Sequence, residues 1–135
     1  RVAAVGISVG IEFAFDRIAR TPNTFDAHRL IWFAQQQGRQ DAVVEELFHG
    51  YFEEGFNIGD AELLSSLAER AGLERDKVIR LLRSEEGVDA VRQEEARGHQ
   101  LGIRGVPYFV LNEKTTVSGA QPAETFVAAI EQMTR

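Results

Sequence analysis

The sequence predicts an α/β protein that is mostly helical, with a β-hairpin and a closing helix at its C-terminal end. Three observations carry this expectation. Glycines and polar caps cut residues 1–104 into short segments whose apolar residues recur at helical spacing. Pro107 stands immediately before the apolar run Tyr108, Phe109, Val110 and Leu111. A residue without an N–H belongs at the first position of a strand or on an edge. Gly119 and Pro122 then precede Phe126, Val127 and Ile130 at helical spacing, and proline is tolerated in a helix's first turn.

Taken in order, Val2, Val5 and Val9 with small residues between them fit the frayed end of either a helix or a strand over residues 1–10. Phe13 and Phe15 alternate with Ala14 and Asp16, the pattern of a connector buried on its phenylalanine side. Pro22 holds Thr21 extended. Asn23 or Thr24 can cap a helix carrying Ala27, Leu30, Ile31 and Ala34 and ending at Gly38. A second helix places Val44, Leu47, Phe48, Tyr51 and Phe52 on one face and stops at Gly55. Asp60 opens a third over Leu63, Leu64, Leu67, Ala68 and Ala71, and Glu74 or Asp76 opens a fourth around Val78, Leu81 and Leu82. Ser84, Glu85 and Glu86 begin a fifth, polar helix that Gly98 weakens towards Leu101. In the hairpin, Asn112, Glu113 and Lys114 supply the turn, and residues 115–118 form a second strand rich in β-branched side chains. No repeat and no Pro/Ser-rich linker divides the chain, so one folding unit is expected. It has two parts, a connector and helical region over 1–104 and the hairpin and helix over 105–135.

The 135 residues, 44% of them hydrophobic, suffice for a core. A net charge of −6 disfavours nonspecific attraction to nucleic acid or anionic lipid, and the uncharged run over 2–11 is too short to span a bilayer. No nucleic-acid or membrane partner is expected. Arg1 opens the sequence, and no basic region, apolar core and cleavage site follow in order. The native start is therefore expected to lie elsewhere, and the cytoplasm is the default compartment.

The words Gly105-Val106-Pro107-Tyr108-Phe109-Val110 and Val117-Ser118-Gly119-Ala120-Gln121-Pro122 resemble the C-terminal half of the DsbA family of thioredoxin-like proteins, specifically its FrnE-like branch. Asn23-Thr24, Ala27-His28-Arg29-Leu30, Leu47-Phe48, Tyr51-Phe52 and Glu54-Gly55 resemble that branch's helical insertion, so the likeness covers nearly the whole chain. It implies a thioredoxin-like fold lacking its N-terminal βαβ unit. The family's Cys-x-x-Cys motif lies in that unit, and this chain contains no cysteine. The resemblance further implies that the Val106-Pro107 bond is cis, and that the backbone of Val106 pairs with an extended substrate beside the redox cysteines. Val106 and Pro107 are thus the candidate substrate-binding residues.

Asn23, Thr24 and His28 match the branch's recurring helix start and form a second candidate pocket, in which His28 can serve as acid, base or donor. Set against this, a lone histidine beside an N-cap has a local structural role. Glu45, His49 and Glu53 share a helix face at i, i+4 spacing, yet no second His or Cys stands at ligand spacing, so no metal is expected. His99 has no evident partner. Trp32, between Ile31 and Phe33, reads as core or interface. The glycines complete neither a dinucleotide turn nor a phosphate loop, and no serine has a nucleophile elbow around it.

Three functions follow as expectations. The first is the helical roof and cis-proline loop of a thiol–disulfide oxidoreductase, with a thiol or disulfide protein, or a small thiol such as glutathione, as partner. It needs no cofactor, because thiolate exchange is self-sufficient, and the chain by itself would be inactive. The second is a glutathione-dependent enzyme of the kappa-class transferase or 2-hydroxychromene-2-carboxylate isomerase type. The third is a noncatalytic interaction module that pairs as a homodimer through an exposed strand edge.

Overall fold

A computed structural model describes residues 1–134. The elements run α1 (Val2–Ser8), a single 3₁₀ turn (Phe15–Arg17), α2 (Phe25–Gln36), α3 (Gln40–Phe48), a π-helical turn (His49–Glu53), α4 (Ala61–Arg70), α5 (Arg75–Leu82), α6 (Val88–Gln100), β1 (Tyr108–Leu111), β2 (Thr115–Ser118) and α7 (Ala123–Met133). They form two compact units, Arg1–Arg92 and Gln93–Arg135, where a single folding unit was expected. The junction falls inside α6, a polar helix whose one buried residue, Val91, lies in its first turn. Beyond Val91 no side chain of that helix is drawn into a core.

The first unit is built on α2 to α5. Leu30, Leu64, Leu67, Val78 and Leu81 are sealed from solvent at its centre, with Ala27, Ala34, Val43 and Ala68 between them. The small residues let the helices approach closely enough for the leucines to interdigitate. Asp60 caps α4 as its spacing implies, accepting from the Glu62 and Leu63 amides at 2.8 and 3.1 Å. At α2 the oxygen that caps is Asn23 Oδ1, which accepts from the Phe25 amide at 2.9 Å, while the Thr24 side chain makes no capping bond.

The second predicted helix is broken. α3 ends at Phe48 and a π-helical turn follows; the buried positions are Val43, Leu47 and Gly50, where Val44, Leu47, Phe48, Tyr51 and Phe52 were expected. Gly50 is required by contact. A Cβ there would lie 2.9 Å from Leu67 Cδ2, and Leu67 has no solvent to move into. The fifth helix begins at Val88, not at Ser84, because Ser84 and Glu86 face Arg29 with their carbonyls. It also runs through Gly98 to Gln100.

In the second unit β1 and β2 pair antiparallel with Tyr108 opposite Ser118 and Leu111 opposite Thr115. Asn112 and Glu113 turn the chain with positive φ, and the Lys114 amide closes the turn on Leu111 O at 3.2 Å. Val117 and Ala129 are the buried side chains that join β2 to α7, and Phe126 meets Phe109 edge-on at 4.9 Å. The run after Pro107 is less buried than its composition implies: Phe109 and Val110 are exposed. A two-stranded sheet with one covering helix leaves most strand positions open.

Candidate functional site

Pro107 lies one residue before β1, and its carbonyl accepts from the Gly119 amide at 2.8 Å, extending the ladder by one rung. Gly119 meets that rung with φ +86°, a left-handed conformation that glycine adopts without a Cβ penalty. Gln121 completes the corner by donating from Nε2 to Ser118 O at 2.9 Å, and Pro122 then begins α7 as its N-cap. The Gly-Ala-Gln-Pro word is thus a corner that holds the end of β2 against the residue opening β1.

The Val106–Pro107 peptide bond is cis. Val106 itself is 89% exposed, and neither its N–H nor its C=O has a hydrogen-bond partner among the described residues. A free donor and a free acceptor on an exposed residue beside a strand end are groups that an extended chain can pair with.

Asn23, Thr24 and His28 come together around the first turn of α2, in the first unit; Val106 and Pro107 belong to the second. His28 is exposed, its amide bonds to Thr24 O at 3.0 Å, and its ring makes no hydrogen bond among the described residues. The local side-chain contact expected of it is not formed. Asn23 spends its oxygen on the cap. Trp32 packs against the first unit's core, with its ring over Gly87, where a Cβ would approach to 2.6 Å.

His49 and Glu53 do meet: Nδ1 is 2.7 Å from Glu53 Oε2, and Nε2 is 3.5 Å from Glu54 Oε1. Glu54 and Glu46 both reach Arg70, at 3.2 and 2.7 Å. The hydrogen bond to Glu53 holds the His49 pKa above 6.5, helped by the negative charges of Glu53 and Glu54 and opposed by slight desolvation and by Arg70. Arg70 is likewise raised, first by its hydrogen bond to Glu46.

Two features escaped the sequence reading. Arg29 is 3% exposed, and its guanidinium donates to Leu81 O at 2.7 Å, Ser84 O at 2.6 Å, Glu86 O at 2.8 Å and Asp26 Oδ1 at 3.0 Å. It ties α2 to the segment leaving α5. The Ala27-His28-Arg29-Leu30 pattern holds the signal, a charged residue beside the inward Leu30. The other is an aromatic groove of about 780 Å³ lined by Phe13, Phe15, Phe48 and Phe52 with Val2 and Ile11. Phe13 and Phe15 were expected to face inward. Instead Ala14 is buried, its amide bonded to Phe52 O at 2.7 Å, and the two phenylalanines stack at 4.9 Å beside the groove. The 3₁₀ turn at Phe15 ends the strict alternation that would have put both rings on the inner side.

A helical unit followed by a β-hairpin and a closing helix is the element order expected of a thioredoxin-like fold with a helical insertion. Comparison with known proteins agrees. The family model of the DSBA-like thioredoxin domain matches residues 2–131, and the chain belongs to that family. A probable DsbA oxidoreductase of Streptomyces coelicolor, SCO1869, is similar in structure at a TM-score of 0.87 and 36% identity, over 97% of this chain and 56% of that one. The uncharacterized protein YwbO of Bacillus subtilis is 28% identical over 123 residues, which are 90% of this chain and 61% of that protein. The chain therefore spans little more than half the length of these relatives.

Proposed function

We propose that these residues form the substrate-facing loop and helical roof of a thiol–disulfide oxidoreductase of the FrnE-like branch. The observation that carries this reading is Val106, exposed, in the bend just before β1 and with neither backbone group paired among the described residues. Family membership supports it, as does the oxidoreductase similar in structure.

The redox step belongs to cysteines that this chain does not contain. A thiolate attacks one sulfur of a substrate disulfide and forms a mixed disulfide, and the other sulfur leaves as thiolate. A second thiolate then breaks the mixed disulfide, so that two electrons pass to the substrate and the enzyme pair is left oxidised. The part played by this chain is orientation. Val106 N–H and C=O pair with an extended substrate backbone in β-strand geometry and so fix which sulfur is presented. That is selection by main chain, tolerant of sequence, and it suits a protein substrate with a cysteine in an extended segment better than a free tripeptide.

The test is an amide-resolved NMR titration of the 135-residue chain with a short, extended, cysteine-containing peptide and, separately, with reduced glutathione. The peptide is expected to shift the amides of Gly105, Val106 and Tyr108, with glutathione weaker at the same concentration. Glutathione binding more tightly than the peptide supports the kappa-class or isomerase reading instead, and shifts confined to Asn23, Thr24 and His28 remove the Val106 loop from the site.

A further inference from the structure

Main-chain pairing at Val106 orients an extended segment without choosing among sequences, so any choice has to come from side chains beside it. The chain around that residue reverses the sign of the protein. The sequence as a whole carries 21 Asp and Glu against 15 Lys and Arg, yet residues 96–112 contain no carboxylate at all. Arg97 and His99 stand in the last turn of α6, and Arg104 follows in the segment leading to Val106. All three are exposed. Arg29, Arg70 and Arg75 each hold a carboxylate, at 3.0, 2.7 and 2.8 Å, whereas Arg104 has no ion-pair partner among the described residues. Glu124 stands in the first turn of α7, where the helix dipole favours it, and it does not neutralise Arg104 by an ion pair.

We infer that Arg104 determines the specificity of the loop, and that the substrate class is a protein segment with an aspartate or glutamate flanking its cysteine. The inference rests on the proposed function and names the substrate of that same site. Two peptide units separate Arg104 from Val106, so their Cα atoms are at most about 7.6 Å apart. An unpaired arginine at that separation can swing over whatever pairs at Val106, within about one Debye length at physiological salt. Its planar fork takes a carboxylate through two parallel hydrogen bonds. A lysine or arginine in the same place on the substrate meets a like charge and is disfavoured, so the one residue both attracts and rejects. Arg97 adds to the positive field from α6. Elsewhere the net charge of −6 repels an acidic segment, which concentrates its binding at this loop.

The experiment titrates the 135-residue chain with three extended cysteine-containing peptides that are identical except for Glu, Gln or Lys beside the cysteine, reading the amides of Gly105, Val106 and Tyr108 by NMR. The Glu peptide is expected to bind tightest and the Lys peptide weakest, with Glu ahead of Gln by about threefold to fivefold, the upper range for an exposed ion pair. At about 1 M salt, where the Debye length is about 3 Å, the ranking collapses. Arg104→Gln brings the Glu peptide to the affinity of the Gln peptide, Arg104→Lys keeps the order with a smaller gap, and Arg104→Glu reverses it. Arg104 is exposed and unpaired, so these variants remove no ion pair from the fold. Shifts at Val106 with equal affinity for the three peptides overturn the role of Arg104 and leave the proposed function standing. A preference for the Glu peptide that survives in Arg104→Gln also overturns it. Absence of shifts at Val106 with every peptide overturns the proposed function itself, and this inference with it.

Discussion

Arg29→Met tests how the first unit is held together. The guanidinium is almost wholly buried, and its bonds run from α2 to three backbone carbonyls, of Leu81, Ser84 and Glu86. Methionine fills much the same volume but donates nothing, so the three carbonyls lose a charged donor together. A hydrogen bond to a charged group contributes about 1.5–3 kcal/mol, and stranding a buried partner adds its desolvation. Ser84 and Glu86 are exposed residues, so water reaches their carbonyls once the side chain is gone; Leu81 O is the buried acceptor. Counting the Leu81 bond in full and the others at a fraction gives a loss of about 3 kcal/mol, within the range for breaking a buried charged group's contacts. Urea unfolding followed by far-UV circular dichroism measures it, with Arg29→Lys expected between wild type and Met because an ammonium cannot span all three acceptors. Hydrogen exchange of the Ser84 to Val88 amides should quicken in both variants. A loss below about 1 kcal/mol for Arg29→Met would mean that the network adds no more than water does, and the argument fails.

Gly50→Ala places a methyl 2.9 Å from Leu67 Cδ2 and should destabilise by about 1–3 kcal/mol. The same change made on Leu67→Ala, which alone costs about 2–5 kcal/mol, should be nearly neutral, and an additive double mutant would sink the packing argument. His49 has a folded pKa above 6.5 through its bond to Glu53. Its stabilisation is therefore complete below pH 6.5 and fades as pH rises through the folded value. For a half-exposed pair the effect should be below about 0.5 kcal/mol. An NMR titration of the ring should give a midpoint above 6.5 that falls on Glu53→Gln, and a midpoint at or below 6.5 in the wild type contradicts the pairing.

The elements were legible where one local rule decided the outcome. Asp60 before Leu63 and Leu64 gave an N-cap that any reading of spacing finds, and Pro107 and Gly119 marked the two ends of the hairpin. Reading failed where the answer lay in long-range contact. The 3.6-residue period of α3 predicts Phe48 and Phe52 inside, but the buried positions are Val43, Leu47 and Gly50, with Gly50 against Leu67, and the two rings line the groove. Arg29 was invisible for a related reason. Apart from Asp26, its acceptors are carbonyls more than fifty residues away, and a carbonyl looks the same whatever side chain it belongs to.

That blindness also explains why the site could be found only through resemblance. Reactive side chains announce themselves by type and spacing, and the histidines and carboxylates of this chain supplied candidates of that kind. None became a catalytic cluster: His28 faces solvent without a partner among the described residues, and His49 is engaged by Glu53 and Glu54. On the proposed reading the working groups are the N–H and C=O of Val106, which every residue except proline possesses. What distinguishes them is placement. Pro107 ends the ladder's supply of donors, Gly119 takes the Pro107 carbonyl, and the residue just before is left with both its groups unspent. A substitution of the Val106 side chain would thus alter substrate pairing far less than a change that shifts the corner at Gly119, where the backbone itself is aimed.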